Sequence, residues 1–414
     1  MAVSEQALSG RIAFTYPDFV LYQAARFLIV SSLEMQSVAV GWQVYELTHR
    51  PLDLGLVGLA QFLPGFLLFL LSGHVADHFE RRRLIIVCQT AFAICSALLL
   101  EITMRRPHSV YPIFLVLVLL GVVRSFNGPA GQAFLPQLVA EEHFPNAVAW
   151  GATIFQTATI LGPMIGGLVY AAARGPGAVY GTAIVTSLLA AIATSRIHPR
   201  LPATRREPPS MKTVLAGFHY IWRKKLILGS ISLDLFAVLL GGAVALLPVY
   251  AKEILRTGPW GLGLLRGAPG IGAAAMAILL AYRPIRRRAG FTMLSCVAGF
   301  GVFTVVFGLS RNLWISLLSL LLLGASDMVS VVIRNTLVQI ATPDEMRGRV
   351  SAVNMLFIGA SNEFGQFESG ITAHWFGTVP AVVMGGLGTL VVIVLWSWLF
   401  PELRHADELV QSRR

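Results

Sequence analysis

Charge is what this chain has least of. Only 13% of its 414 residues are Asp, Glu, Lys or Arg, about half the share found in a soluble domain. Acids are scarcer still, 21 against 32 Lys plus Arg. Cysteine is nearly missing: Cys88, Cys95 and Cys296 all fall in apolar stretches, which excludes a disulfide framework and a CxxC metal site. No HExxH, GxSxG or Cys/His cluster occurs, so the residues an embedded hydrolase or metalloenzyme needs are not there. The opening MAVSEQALSGRIAFTYPD lacks an apolar core and a small-residue cleavage site, so no removable signal peptide is expected.

What the chain has instead is long hydrophobic runs, with 55% of its residues apolar. A bilayer-spanning helix needs about 20 such residues. Twelve runs of that kind are read, centred near Val30, Leu67, Ala93, Leu119, Ile160, Val185, Leu240, Ala273, Gly301, Leu321, Ile358 and Leu390. They leave no room for a soluble domain, and the expected fold is an all-α polytopic membrane protein with 12 transmembrane helices.

The net charge of +11 could suggest a nucleic-acid partner, but its placement argues otherwise. With a cytoplasmic N-terminus, 21 of the basic residues fall on inward segments, 7 on outward loops, and Arg26, Arg124, Arg266 and Arg334 within spans. That bias follows the positive-inside rule, so the basic balance reports topology, with both termini cytoplasmic and no nucleic acid implied.

The chain is also written twice. An offset of 202 residues lays Leu135, Gln137, Val148 and Phe155 on the identical residues Leu337, Gln339, Val350 and Phe357 without a gap. Two pseudo-symmetric bundles of six spans in the same orientation are expected, related by an axis along the membrane normal. The expected boundaries are residues 1–197 for the first, 226–414 for the second with a short cytoplasmic tail, and 198–225 for a cytoplasmic linker. That linker, rich in proline and arginine, ends in a short amphipathic stretch with Phe218, Tyr220 and Trp222 at the membrane surface.

Two segments carry more than hydrophobicity. ATILGPMIGG, from Ala158 to Gly167, places Gly162, Pro163, Gly166 and Gly167 inside an apolar run. Glycines four apart share a helix face and admit a neighbour backbone to backbone, while the proline removes one ladder hydrogen bond. An ordinary GxxxG seam explains these residues taken alone; a kinked helix sealed tightly against a partner is the sharper reading. GHVADHFERRR, from Gly73 to Arg83, sets Asp77 at a helix end before Arg81, Arg82 and Arg83. A topological anchor explains the arginines but not Gly73 and Asp77, which suit a pair made in one conformation and broken in another.

These residues together resemble the major facilitator superfamily of transporters. Gly73, Val75, Ala76, Asp77, Arg81 and Arg82 match its loop signature, with His78 where arginine is usual and Glu80 where glycine is usual. Arg124, Asn127, Gly128 and Gly131 are similar to its fourth-helix motif, and Gly162, Pro163, Gly166 and Gly167 match its fifth-helix antiporter motif, found mainly in exporters. The wording at Ala25–Phe27 and Thr342–Ala352 is most similar to the bacterial branch of enterobactin-type siderophore exporters and macrolide efflux proteins, drug:proton antiporters. The resemblance implies proton-coupled export of a small molecule across the bacterial inner membrane, among membrane lipids, by a monomer with no cofactor beyond the proton gradient. Uptake by symport and lysophospholipid flipping are the alternatives within the same fold.

An ionisable side chain in hydrocarbon costs at least roughly 2.5 kcal/mol, so each is a functional candidate. Those read in spans are Glu34, Arg124, Asp234, Asp327, Arg334, Glu363 and Glu368. The resemblance puts Glu34, Arg124, Asp234 and Asp327 on cavity-lining helices. Glu34 is the expected proton site, unless Arg26 or Gln36 holds it. The repeat brings Arg124 onto Ser326, beside Asp327, which suggests an ion pair between Arg124 and Asp327. Glu363 and Glu368 are five apart, roughly 140° around a helix, so they make no paired-carboxylate site. They are expected to give their helix a polar role in place of a packing one. Trp42, Phe62, Phe126, Phe155 and Phe236 are candidates for an aromatic lining, and Trp396 and Trp398 for an interface belt.

Overall fold

The computed structural model describes residues 10–106, 109–199, 211–285 and 288–404, and within them every side chain except those of 69, 70, 77, 211–214, 344 and 352. Among the described residues there is no strand. The principal helices are α1 (Pro17–Thr48), α2 (Pro51–Leu67), α3 (Phe69–His78), α4 (Arg81–Met104), α5 (Tyr111–Phe134), α6 (Phe144–Ala173), α7 (Gly177–Ser195), α8 (Met211–Arg223), α9 (Lys225–Gly241), α10 (Gly258–Tyr282), α11 (Ala289–Leu309), α12 (Leu313–Ala341), α13 (Asp344–Phe376) and α14 (Thr378–Leu399). Nine of the described segments are long and apolar enough to cross a membrane: α4 to α7, α9 to α12 and α14, with α5 and α6 extended by a turn and α9 carried on to Ile254.

The other three expected spans fall on α1, α2 and α13. Of these, α2 is apolar but only 17 residues long, while α1 and α13, with 32 and 33 residues, are long enough but interrupted by polar and charged side chains. The weakest hydropathy lies where Gln23, Arg26, Glu34 and Gln36 sit on α1, and where Asn362, Glu363, Gln366 and Glu368 sit on α13. These polar side chains lower the hydropathy of the two helices, although apolar runs centred near Val30 and Ile358 still mark them.

Helix ends follow local chemistry. Pro17 and Pro51 open α1 and α2, where a missing N–H costs nothing. Asn312 caps α12, its Oδ1 accepting from the N–H groups of Trp314 at 2.9 Å and Ile315 at 3.3 Å. Gly377, at φ +91°, turns the chain from α13 into α14. Helix α6 runs through Pro163 as one element.

By contacts the chain forms two units, Met1–Gln43 with Ala60–Pro209, and Val44–Leu59 with Ser210–Arg414. In the first, Phe19, Tyr22, Ile85, Phe134 and Ile197 are core residues. A polar latch ties three of its helices: the Tyr180 hydroxyl on α7 donates to Gln43 Oε1 on α1 at 2.7 Å, and Gln43 Nε2 donates to Thr103 Oγ1 on α4 at 3.0 Å. In the second, Leu233, Met293, Ile333 and Leu403 are core residues. The turn from α1 to α2 belongs to this second unit: the Tyr45 hydroxyl donates to the Glu253 carboxylate, and Glu46 lies 3.8 Å from Lys252. Lys252 and Glu253 occupy a π-helical turn, Tyr250–Ile254.

The expected amphipathic stretch is α8. Its buried side carries Gly217, where an added Cβ would come within 2.9 Å of the Arg349 carbonyl carbon, and Ile221. The Tyr220 hydroxyl donates to Ala341 O at 3.1 Å. Leu215, Phe218 and Trp222 stay exposed on the other side.

Candidate functional site

The antiporter-type motif of α6 is a close backbone seam with α1. Gly162, Pro163, Gly166 and Gly167 are all buried. A Cβ on Gly162 would stand 2.6 Å from Glu34 Cβ and 3.1 Å from Ser31 O, and one on Gly166 would stand 2.7 Å from Met35 Cα. No side chain larger than hydrogen fits at either position. The seam therefore fixes the segment of α1 that bears Glu34.

Glu34 is partly exposed and has neither a hydrogen bond nor an ion pair among the described residues. Both groups that could have locked it are engaged elsewhere. Gln36 Nε2 donates to Ser32 Oγ at 3.4 Å, and Arg26 Nη1 donates to Gly151 O at 3.4 Å while its guanidinium sits 5.3 Å from the Phe155 ring centre.

Arg124 and Asp327 each have neighbours inside their own unit. Arg124 Nη1 donates to Gln61 Oε1 on α2 at 3.1 Å. Asp327 has Asp234 and Arg334 as its charged neighbours. These contacts are not the Arg124–Asp327 pair suggested by the repeat. Asp234 and Arg334 form a buried ion pair between α9 and α12, at 7% and 2% exposure. Asp234 is the carboxylate in direct contact with Arg334, and Asp327 lies close enough to feel both charges. Sequence reading noted Arg334 without giving it a partner; its position seven residues after Asp327 put both on one face of α12. Helices α10 and α12 cross backbone to backbone here, Gly272 against Leu321 O and Gly324 against Pro269 O.

On α13, Gln366 Nε2 donates to Glu363 at 3.1 Å and Thr372 Oγ1 donates to Glu368 at 2.6 Å. Ser369 Oγ donates to Gly242 O at 2.9 Å. The expected loss of a packing role is corrected. A Cβ on Gly365 would lie 2.9 Å from Val238 O and 3.0 Å from Leu239 O, so α13 presses its backbone on α9 as closely as α6 presses on α1. The motif reading failed because the second copy places its packing glycines without a proline beside them.

The loop signature is mostly helical: Gly73 and Asp77 lie within α3, and α4 begins at Arg81. Arg81 Nη1 donates to Ala133 O at 2.9 Å, near the end of α5. Arg82 donates to Thr194 O at 3.4 Å and to Ser195 O, the last carbonyls of α7, where a helix dipole favours a cation. The Asp77 side chain, and with it the expected Asp77–Arg81 pair, lies outside the described residues. On α5, Gly131 meets Tyr22, whose hydroxyl donates to Gly131 O at 2.9 Å. Among the aromatics, Trp42 is 6% exposed and packs edge-on to Tyr170, a core contact and not a cavity lining. Trp396 Nε1 donates to Ser232 Oγ at 2.9 Å and its ring packs on Phe236, which leaves Trp398, 82% exposed, as the belt residue.

A family model described as transmembrane secretion effector matches residues 20–413. The chain belongs to this family of the major facilitator superfamily. Relatives of the family with a similar sequence include the enterobactin exporter EntS of Escherichia coli (strain K12) and that of Shigella boydii serotype 4 (strain Sb227), each 28% identical over 398 residues, 94% of either chain. The fold is similar to that of a bacterial homologue of the iron transporter ferroportin in an inward-facing state (TM-score 0.67, 17% identity, 92% of this chain and 98% of that one). It is also similar to the nucleoside transporter NupG (TM-score 0.68, 16% identity, 92% and 99%). The family accounts for the α6 and α5 motifs, and the fold is the all-α major facilitator fold.

Two substitutions test this geometry. Gly162→Ala forces a Cβ onto Glu34 and is expected to cost about 1–3 kcal/mol. Gly128→Ala, where nothing lies within 4 Å, is expected to be near neutral; thermal unfolding in detergent compares them. Arg334→Gln leaves Asp234 buried and unpaired and is expected to cost about 3–5 kcal/mol, with a large part recovered when Asp234→Asn is added. Equal unfolding temperatures for the single and double variants would contradict the pair.

Proposed function

We propose that this chain exports a small amphipathic molecule, drug-like or siderophore-like, across the cytoplasmic membrane by proton antiport. The match to the enterobactin exporters over 94% of both chains carries the export reading, together with a glycine-proline motif typical of exporters on α6. Alternation takes the form of rigid-body rocking of the two halves. The proton gradient supplies the energy, with no cofactor, and the working unit is a monomer whose termini face the cytoplasm.

Within that reading Glu34 exchanges the proton. Its carboxyl is held on a close-packed seam and has no partner to surrender among the described residues, so it can take up a proton from one side and release it when cargo arrives. Asp327, beside the Asp234–Arg334 pair, is the second acidic position on the pathway, and Arg124, Glu363 and Glu368 contribute polar contacts to cargo. Gly73, Asp77, Arg81 and Arg82 hold the helix ends that move.

Inverted membrane vesicles, acidified inside, test the proposal. Accumulation of a labelled catecholate or lipophilic cation driven by the pH gradient is the expected result, because uptake into inverted vesicles corresponds to export from cells. Glu34→Gln is expected to abolish the gradient-driven part and spare passive binding. Full gradient-driven accumulation by that variant removes Glu34 from the mechanism.

A further inference from the structure

Beside the seam, one niche on the same two helices has no role in the mechanism above. Gln23 on α1 is only 2% exposed, yet neither its amide nitrogen nor its oxygen has a hydrogen-bond partner among the described residues. A buried amide with both groups unmet is costly and rare. It faces Gly151 on α6, where a Cβ would lie 3.1 Å from Gln23 Nε2 and 3.2 Å from Arg26 Nη1. The missing side chain of Gly151 thus lets a primary amide and a guanidinium converge against the α6 backbone.

Arg26 is the second unmet group. It bonds to Gly151 O at 3.4 Å and lies against the Phe155 ring, and among the described residues no carboxylate neutralises it. Phe155 is one turn beyond Gly151 on α6 and 42% exposed. A second cation stands close in depth. Helices α1 and α5 touch at Tyr22 and Gly131. Arg26 lies one turn after Tyr22 and Arg124 two turns before Gly131, both on the touching faces. The helices run antiparallel, so the two guanidiniums differ in depth by about 4.5 Å at 1.5 Å per residue. Arg124 likewise has, among the described residues, a neutral partner alone, Gln61.

We propose that Gln23, Arg26 and Phe155 form a subsite for the acidic group of an aromatic cargo, an assignment to cargo that rests on the export reading. One carboxylate accepts from the free donors of the Arg26 fork and from Gln23 Nε2, while Gln23 Oε1 accepts from a hydroxyl on the same ring. The ring of the cargo lies against Phe155. A cationic head is repelled by Arg26, and a neutral one leaves a guanidinium without a counter-charge in a low dielectric.

Purified chain in nanodiscs of zwitterionic lipid is titrated calorimetrically with naphthalene-2-carboxylate, the isosteric naphthalene-2-carboxamide and inorganic phosphate. The acid is expected to bind at least about tenfold tighter than the amide, the weight of one charge-assisted hydrogen bond. Arg26→Gln should erase that preference, Gln23→Leu and Phe155→Ala should each weaken the acid about tenfold, and exposed Arg83→Gln should change nothing. Matching unfolding temperatures and elution profiles identify the variants that fold, and Phe155→Ala serves if either polar variant does not. Equal binding of acid and amide, or a preference surviving Arg26→Gln, overturns the subsite. Displacement by equal phosphate with no effect of Phe155→Ala assigns the niche to a free phosphate or lipid headgroup and overturns the aromatic cargo. Failure of the export reading looks different: binding preference intact, with no gradient-driven movement of the acid in vesicles.

Discussion

A charge carried into hydrocarbon must be met by something, and the arrangement of this molecule follows from how each charge is met. Asp234 and Arg334 meet each other in the second unit. Arg81 and Arg82 are met by helix-end carbonyls, which lack ladder partners of their own. Arg124 is met by an amide. Glu34 has no partner among the described residues, and its α1 backbone is gripped by the Gly162–Gly166 seam. Rigidity of the backbone and freedom of the carboxyl occur at the same residue.

Glycine is the means in both units. Without a hydrophobic drive between helices in lipid, contact comes from backbones that approach closely. Gly162 and Gly166 bring α6 onto α1, Gly365 brings α13 onto α9, and Gly272 with Gly324 brings α10 onto α12. The first and second of these seams lie at related places in the repeat, although only the first carries proline. Close seams of this kind slide or hinge as units without opening voids, which suits a bundle that changes state by moving whole helices.

Much of this was legible in the residues. Apolar runs located the helices, and the spacing of Gly162 and Gly166 announced a seam. The family followed from motif wording. What escaped was whatever depended on a partner distant in the chain. Arg334 reads as an isolated arginine until Asp234, a hundred residues earlier, is folded against it. Trp396 has the composition of a belt residue, and only its bond to Ser232 draws it inward. The packing role of Gly365 has no motif to announce it, because the proline of the first copy is missing from the second. Gln23 gave no signal at all, since an unmet amide is visible only once its neighbours are in place.

The account stands or falls on whether the position of Glu34 is reached from both aqueous compartments. Cysteine at position 34, in a chain with Cys88, Cys95 and Cys296 changed to serine, can be probed with a membrane-impermeant maleimide in right-side-out and in inverted vesicles. Labelling from both sides, in proportions that shift when cargo is added, is the predicted result. Labelling from one side alone, unmoved by cargo, would contradict a carboxyl that serves both compartments in turn.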